Sequence, residues 1–268
     1  MSGPVGLPLR PGYHDDRAGR HGSGAGSNAA GEYRHRARFF RDQPTRFGLL
    51  PRHAPGSAIR WFDAAPCYMY HTINAWEEGE RVVLIGCRID APLVGDPDNP
   101  TLHSGWQAPE IGFLRLDPRL HRWTFDLATG AVTEADLDEV PTEFPRMDNR
   151  RLGRRSRYAY NPRLAAAPTV LFDGLIKYDC DTGQAWTHEY PAGWYGGEVV
   201  FAPRPGGAGE DEGYLLTFVV HEDSGASELH VLDAQRVEGP PLCRVQVPQR
   251  VPTGYHAWWV DAATSCSA

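Results

Sequence analysis

Three segments of this 268-residue chain repeat one pattern at a nearly constant interval, and that interval restricts the fold more than any other feature. Asp126-Leu127-Ala128-Thr129-Gly130 lies between the runs Arg122–Phe125 and Ala131–Thr133. Asp179-Cys180-Asp181-Thr182-Gly183 lies between Leu175–Tyr178 and Gln184–His188. Asp233-Ala234-Gln235-Arg236 follows Glu228–Leu232 and precedes a run at 242–247. The leading aspartates stand 53 and then 54 residues apart. In Asp-x-x-Thr-Gly the aspartate can accept hydrogen bonds from the turn, and glycine takes the positive φ that closes it. A strand–turn–strand unit that returns about every 50 residues describes a four-stranded propeller blade.

The surrounding sequence agrees. From Phe39 onward, short β-type runs alternate with Gly, Pro and Asp turns, and helix-period stripes are scarce. Strands are expected at 58–63, 68–74, 81–90, 111–116, 121–127, 156–160, 170–178, 184–190, 198–203, 213–221, 227–233 and 242–247. The fold class is therefore all-β, a β-propeller. About 230 residues at that spacing give roughly four blades, so the expectation is a partial propeller over 39–268. Residues 1–38 read as an unstructured tail, with the linker-like Gly22–Gly31 and the basic cluster Arg34–Arg38.

Composition narrows the function. A net charge of −7 argues against a nucleic-acid surface. Five cysteines, at 67, 87, 180, 243 and 266, form no CxxC pair and point to a reducing compartment. No apolar run is long enough to span a bilayer, so a soluble, cytoplasmic protein is expected; peripheral membrane contact, which needs only an apolar patch, stays open.

Two histidines sit in apolar company. His71 lies in Tyr68-Met69-Tyr70-His71-Thr72-Ile73-Asn74-Ala75-Trp76-Glu77, where strand alternation puts it on one face with Met69 and Ile73. His256 lies in Pro252-Thr253-Gly254-Tyr255-His256-Ala257-Trp258-Trp259. The plain reading of each is a packed core residue and the functional one a metal ligand; no HxH, HExxH or CxxC spacing decides between them. Glu143, in Thr142-Glu143-Phe144-Pro145-Arg146, and Glu198, in Gly196-Gly197-Glu198-Val199, are carboxylates that need partners if buried. Those partners are either Arg146 or Arg204, or the distal N–H of a metal-bound imidazole. His121, His188, His221 and His230 are expected to be mostly solvated, and 209–213 to be a loop tip. His14, His21, His35 and His103 are weaker candidates still.

Taken in order, Pro44–Arg52, Ile59–Phe62, Tyr70–Glu77, Glu143–Arg146, Gly197–Pro205, Glu210–Tyr214, Ser227–Ala234 and Pro252–His256 resemble the carotenoid cleavage oxygenase family, over most of the chain from Pro44. The resemblance implies a seven-bladed propeller with Fe2+ on its axis, held by four histidines, three of them backed by glutamates. On it His71 and His256 match the third and fourth ligands, and Glu143 and Glu198 the carboxylates that support them. It implies an iron(II)-dependent dioxygenase that uses O2 to cleave one double bond of a carotenoid, apocarotenoid or stilbene, a small apolar conjugated substrate, to two carbonyl products. Tyr68, Tyr70, Trp258 and Trp259 would line the cavity or pack in the core. The family's first two histidines and first glutamate have no match here. The expectation is a truncated or split product, completed by a complementing N-terminal half, or else a non-catalytic propeller fragment serving as a binding or scaffold module.

Overall fold

The structure, a computed structural model, describes residues 9–10, 42–90, 117–167, 169–254 and 256–261. It is all-β. Its strands are β1 (Leu9–Arg10), β2 (Thr45–Leu49), β3 (Arg60–Ala64), β4 (Tyr68–Glu78), β5 (Arg81–Ile89), β6 (Arg119–Asp126) and β7 (Val132–Asp136). They continue with β8 (Tyr158–Leu164), β9 (Phe172–Asp179), β10 (Ala185–Glu189), β11 (Trp194–Pro203), β12 (Gly213–His221), β13 (Ser227–Asp233) and β14 (Cys243–Val247). All described pairings are antiparallel. They form a sheet β1-β2-β3, a meander β4-β5-β6-β7, a unit β8-β9-β10 and a meander β11-β12-β13-β14. One residue pair, Gly196 with Phe172, joins the last two. This is an open partial propeller of four sheet units, and no sheet closes among the described residues.

The two middle units are buried on both faces, which explains their sequence, whereas the first and last units bury one face each. On β5, Val82 and Leu84 join one core with Phe47, Phe62, Trp123 and Phe125. Val83 and Ile85 join the next core, with Ile73, Trp76, Ile176 and Tyr178. A third core sets Tyr160 and Leu175 against Val199, Phe201, Leu215 and Leu232. A strand covered on both sides reads as a continuous apolar run, as Val82–Ile85 does.

The aspartate hairpins form as expected. Asp126 accepts from the backbone N–H groups of Ala128 and Thr129, and Asp179 from those of Asp181 and Thr182. Gly130 and Gly183 take φ of 78° and 74°. Asp233 accepts from Gln235.

Other expectations change. Thr45–Leu49, not expected as a strand, is β2. Leu9–Arg10, placed in the unstructured tail, pairs with it through Leu9–Phe47 and Arg10–Arg46. The rest of 1–38, the strand at 111–116, and Cys266 lie outside the described residues. Cys67, Cys87 and Cys180 are free and buried, and burial pushes their thiols up, that of Cys180 to about 12. No described helix is long and apolar enough to cross a membrane.

Asp179 is almost fully buried, and Arg157 binds it through Nε at 2.9 Å and Nη2 at 2.5 Å. Burial alone would raise its carboxyl; the guanidinium, Thr182 and the turn amides outweigh burial and hold it at about 2. Asp179→Asn is expected to cost about 1–3 kcal/mol in chemical denaturation at pH 7. Because the folded value lies below the ordinary one, the contribution is complete above the usual carboxylate range and fades as pH falls toward 2. The difference between wild type and variant should therefore shrink when the melts are repeated at pH 3.

Candidate metal centre

Three segments break their β-ladder in the same way, and each break carries a residue of the candidate site. On β4, Met69 faces Arg88 and Thr72 faces Gly86, so Tyr70 and His71 together oppose Cys87 alone; a second slip follows at Ile73. On β11, Gly196 faces Val219 and Val199 faces Thr217, so Gly197 and Glu198 oppose Phe218. The segment before β8 bridges it at Thr142–Arg163 and Arg146–Tyr160, which sets Glu143, Phe144 and Pro145 against Asn161 and Pro162. Phe144 absorbs that extra residue at φ 50°. An inserted residue bends the strand and re-aims its side chain.

These slips overturn the expected face of His71. Met69 belongs to one core and Ile73 to the next, because the bulge between them reverses the alternation. His71 enters neither layer. Its Nδ1 is bonded to Glu143 Oε2 at 2.6 Å, and its side chain keeps 30% exposure. The Glu143 hydrogen bond raises the imidazole above its ordinary value, against the lowering effect of burial.

His256 comes back to meet it. Its ring lies 5.3 Å from that of His71 at an interplanar angle of 83°. The ring of Phe144 sits beside both, at 4.8 Å from His71 and 5.6 Å from His256. His256 Nδ1 lies 3.4 Å from Glu198 Oε1, and its side chain is 63% exposed, far from the packed setting expected for it. All four predicted residues thus converge, on the innermost strand of each unit or on segments packed against it.

The carboxylates divide their bonds differently. Glu143 accepts through Oε2 from His71 and from the Phe144 backbone N–H, and takes no arginine. Glu198 takes Arg146, with Nη2 at 2.6 Å from Oε1, and the Ala257 backbone N–H besides His256. Arg204 turns instead to Asp233 and the Tyr214 ring. Since a carboxylate only accepts, each Nδ1 carries a proton, and in the neutral imidazole Nε2 then keeps the lone pair that a transition metal binds. Two imidazoles so held fit part of a metal site. Among the described residues, no group of three or more His, Cys, Asp or Glu is placed to hold an ion.

Two supporting residues were not singled out by sequence reasoning. Asn74, three residues after His71, is buried; its amide donates to Arg151 and Arg154 carbonyls and to Ser156, and its oxygen accepts from Gly153 and Ala75. An asparagine inside an apolar run was the available signal. Arg146, weighed only as a salt-bridge partner, also reaches Ala257 O at 2.7 Å and lies over the Trp258 ring. Tyr70, Trp258 and Trp259 are exposed, so core packing does not describe them.

The remaining histidines do not join the site. His121, His188 and His230 are buried, contrary to expectation, because each finds a partner: Asp136, the Val237 carbonyl and Glu228. Burial lowers all three imidazoles below their ordinary value. His14, His21, His35 and His103 lie outside the described residues. In the loop between β11 and β12, Glu210 binds the Arg157 and Tyr158 N–H groups, Asp211 pairs with Lys177, and Glu212 accepts from Ala208 and Gly209. A cavity of about 210 Å³, walled by Tyr195, Phe218, Val219, Val251 and Pro252, opens beside His256 and Glu198. A larger recess of about 570 Å³, around His188 and His230, shares no residue with it.

The retinal pigment epithelial membrane protein (RPE65) family profile matches residues 24–261. The chain belongs to the carotenoid cleavage oxygenase family. It is 35% identical over 231 residues to carotenoid 9,10(9',10')-cleavage dioxygenase 1 of Pisum sativum, covering 80% of this chain and 41% of that protein. It is 36% identical over 225 residues to a carotenoid cleavage oxygenase of Mycobacterium tuberculosis, covering 81% and 42%. Among solved structures, cobalt-substituted apocarotenoid oxygenase of Synechocystis superposes with a TM-score of 0.72 at 26% identity, over 84% of this chain and 45% of that one. The chain therefore spans a little over two fifths of the length of these oxygenases.

The bulge that aims His71 depends on Gly86. A Cβ there would stand 2.8 Å from Met69 Sδ and 3.0 Å from the His71 carbonyl. Gly86→Ala is expected to lower stability by about 1–3 kcal/mol, measured by thermal or chemical melts. It should also weaken the His71–Glu143 contact, visible as a shifted imidazole titration in NMR.

Proposed function

We propose that this chain is part of an iron(II)-dependent dioxygenase of the carotenoid-cleavage type and contributes two of the imidazoles that hold its metal. The observation that carries this reading is the His71–His256 pair, whose rings stand 5.3 Å apart with each Nδ1 turned to its own buried carboxylate. The named activities of the related oxygenases support it, as does the cobalt-substituted form of a solved relative.

On this reading His71 and His256 bind through Nε2. Glu143 and Glu198 retain the Nδ1 protons, fix the ring planes and make the imidazoles more basic donors. Bound iron(II), with positions left open, supplies a place where O2 is activated without a separate reductant. The substrate is a small apolar conjugated molecule, a carotenoid, apocarotenoid or stilbene. One double bond and one O2 yield two carbonyl products. The Phe144 ring, packed beside both imidazoles, keeps water from that side of the pair. Further donors come from a polypeptide equivalent to the part of the relatives that this chain does not span.

A second reading has its own support. The described residues bring no third metal donor to the pair, which favours a non-catalytic propeller module that binds or scaffolds. Anaerobic reconstitution with ferrous ion, followed by metal analysis, separates the two. The oxygenase reading expects retained iron that is lost on His71→Ala or His256→Ala, and an affinity about 10–100-fold lower on Glu143→Gln. The module reading expects no retained iron, unchanged circular dichroism in both histidine variants and no oxygen consumption with any polyene or stilbene.

A further inference from the structure

The segment that delivers His256 has no ladder of its own. After β14 the chain runs through 248–254 and 256–261 without strand or helix. Val251 is tied to Ser227 Oγ at 2.9 Å. Beyond it, Glu198 bonds His256 and the Ala257 N–H, and Arg146 bonds the Ala257 carbonyl. Arg146 is in turn rigidly based: its backbone exchanges hydrogen bonds with Tyr160 in both directions, at 2.8 and 2.7 Å, and Tyr160 is fully buried.

We propose that Arg146 is a positioning residue of the metal centre, a clamp that docks the terminal segment so that His256 faces His71. The inference rests on the metal-site reading above and adds a residue to it. One guanidinium nitrogen, Nη2, bridges Glu198 Oε1 at 2.6 Å and Ala257 O at 2.7 Å. The flat cation also lies 5.5 Å from the centroid of the Trp258 ring, within the range of a cation–π contact. Arg146 thereby grips the residues on the C-terminal side of His256 and the carboxylate behind it. Two contacts from a charged group to neighbours of one residue restrict that residue without touching it. Glu198, carried on β11, holds the same segment through His256 and the Ala257 N–H, and Arg146 ties that carboxylate to the Ala257 carbonyl.

Hydrogen–deuterium exchange of the metal-free chain tests the clamp directly. In Arg146→Met, amides of 251–261 are expected to exchange about tenfold faster while those of β12 and β13 keep their protection. Arg146→Lys keeps one charged nitrogen able to reach the same two oxygens and loses only the planar stack on Trp258, so it should restore most of the protection. Cobalt(II) titration, read from the visible ligand-field bands, should show Arg146→Met weakening binding about 10–100-fold and Arg146→Lys recovering it in part. Trp258→Ala, at an exposed position, gives a milder variant should Arg146→Met fail to fold; it is expected to raise exchange of 251–261 about threefold. Exchange in Arg146→Met equal to wild type, or Arg146→Lys no better than methionine, would overturn the clamp. Wild-type cobalt binding that survives the joint loss of His71 and His256 would instead remove the metal reading, and the exchange measurement would still decide what Arg146 does.

Discussion

Burial of the two middle sheet units on both faces is the condition under which the rest of this structure has to work. Along β5 each residue from Val82 to Ile85 enters one core or the next, so no face is left from which a polar group can act. Chemistry in such a protein is confined to inner edges and to breaks in the ladder. The chain uses both together: His71, Glu143 and Glu198 all lie in segments carrying one residue more than the strand they pair with. Each break sacrifices ladder hydrogen bonding, and Phe144 adds a strained positive φ that costs about 1–3 kcal/mol. The offset lies in the cores, where fully buried side chains such as Trp123, Phe125 and Leu215 contribute about 1.5–3 kcal/mol each.

The two imidazoles end up unequal for a physical reason. His71 stands on a strand flanked by ladder bonds, so its ring is delivered to Glu143 by the backbone, and the contact closes to 2.6 Å. His256 stands on a segment with no such ladder. Its carboxylate already neutralises an arginine, and a carboxylate shared with a guanidinium is a weaker acceptor for a neutral N–H. The longer 3.4 Å contact accompanies that sharing, and the doubled exposure accompanies a segment without a ladder. Glu143, with no cation beside it in its hydrogen-bond set, directs its accepting capacity at the imidazole and at the amide of its own bend.

Much of this was legible in the sequence, and the limit of legibility is itself structural. Period-two alternation and the Asp-x-x-Thr-Gly turns identified most strands and the blade repeat, because both depend only on neighbours in the chain. Alternation failed at His71, where it predicted a shared layer with Met69 and Ile73: a bulge leaves no mark in composition, and one inserted residue reverses the faces beyond it until the next slip. The buried state of His121, His188 and His230 was missed for a related reason. A polar residue goes inside when a partner waits there, and Asp136 and Glu228 are visible as partners only once strand register is known. Glu143 and Glu198 were found because carboxylates in apolar company demand an explanation. Asn74 met the same description and was passed over.

Topology also sets how many donors a chain of this kind can bring to one point. Each meander sends only its innermost strand to the centre, and the outer strands, such as β7, β10 and β14, end far from it in the sheet order. Of the two imidazoles here, one comes from an inner strand, β4. The other comes from the chain leaving β14, the outermost strand of its unit, and crossing back inward past β11. Imidazoles on the later strands, His121 on β6, His188 on β10 and His230 on β13, bond to their own local partners and do not reach the pair. Further donors must therefore arrive on further inner strands or on further crossings of the centre. That restriction is why the seven histidines among the described residues yield one converging pair.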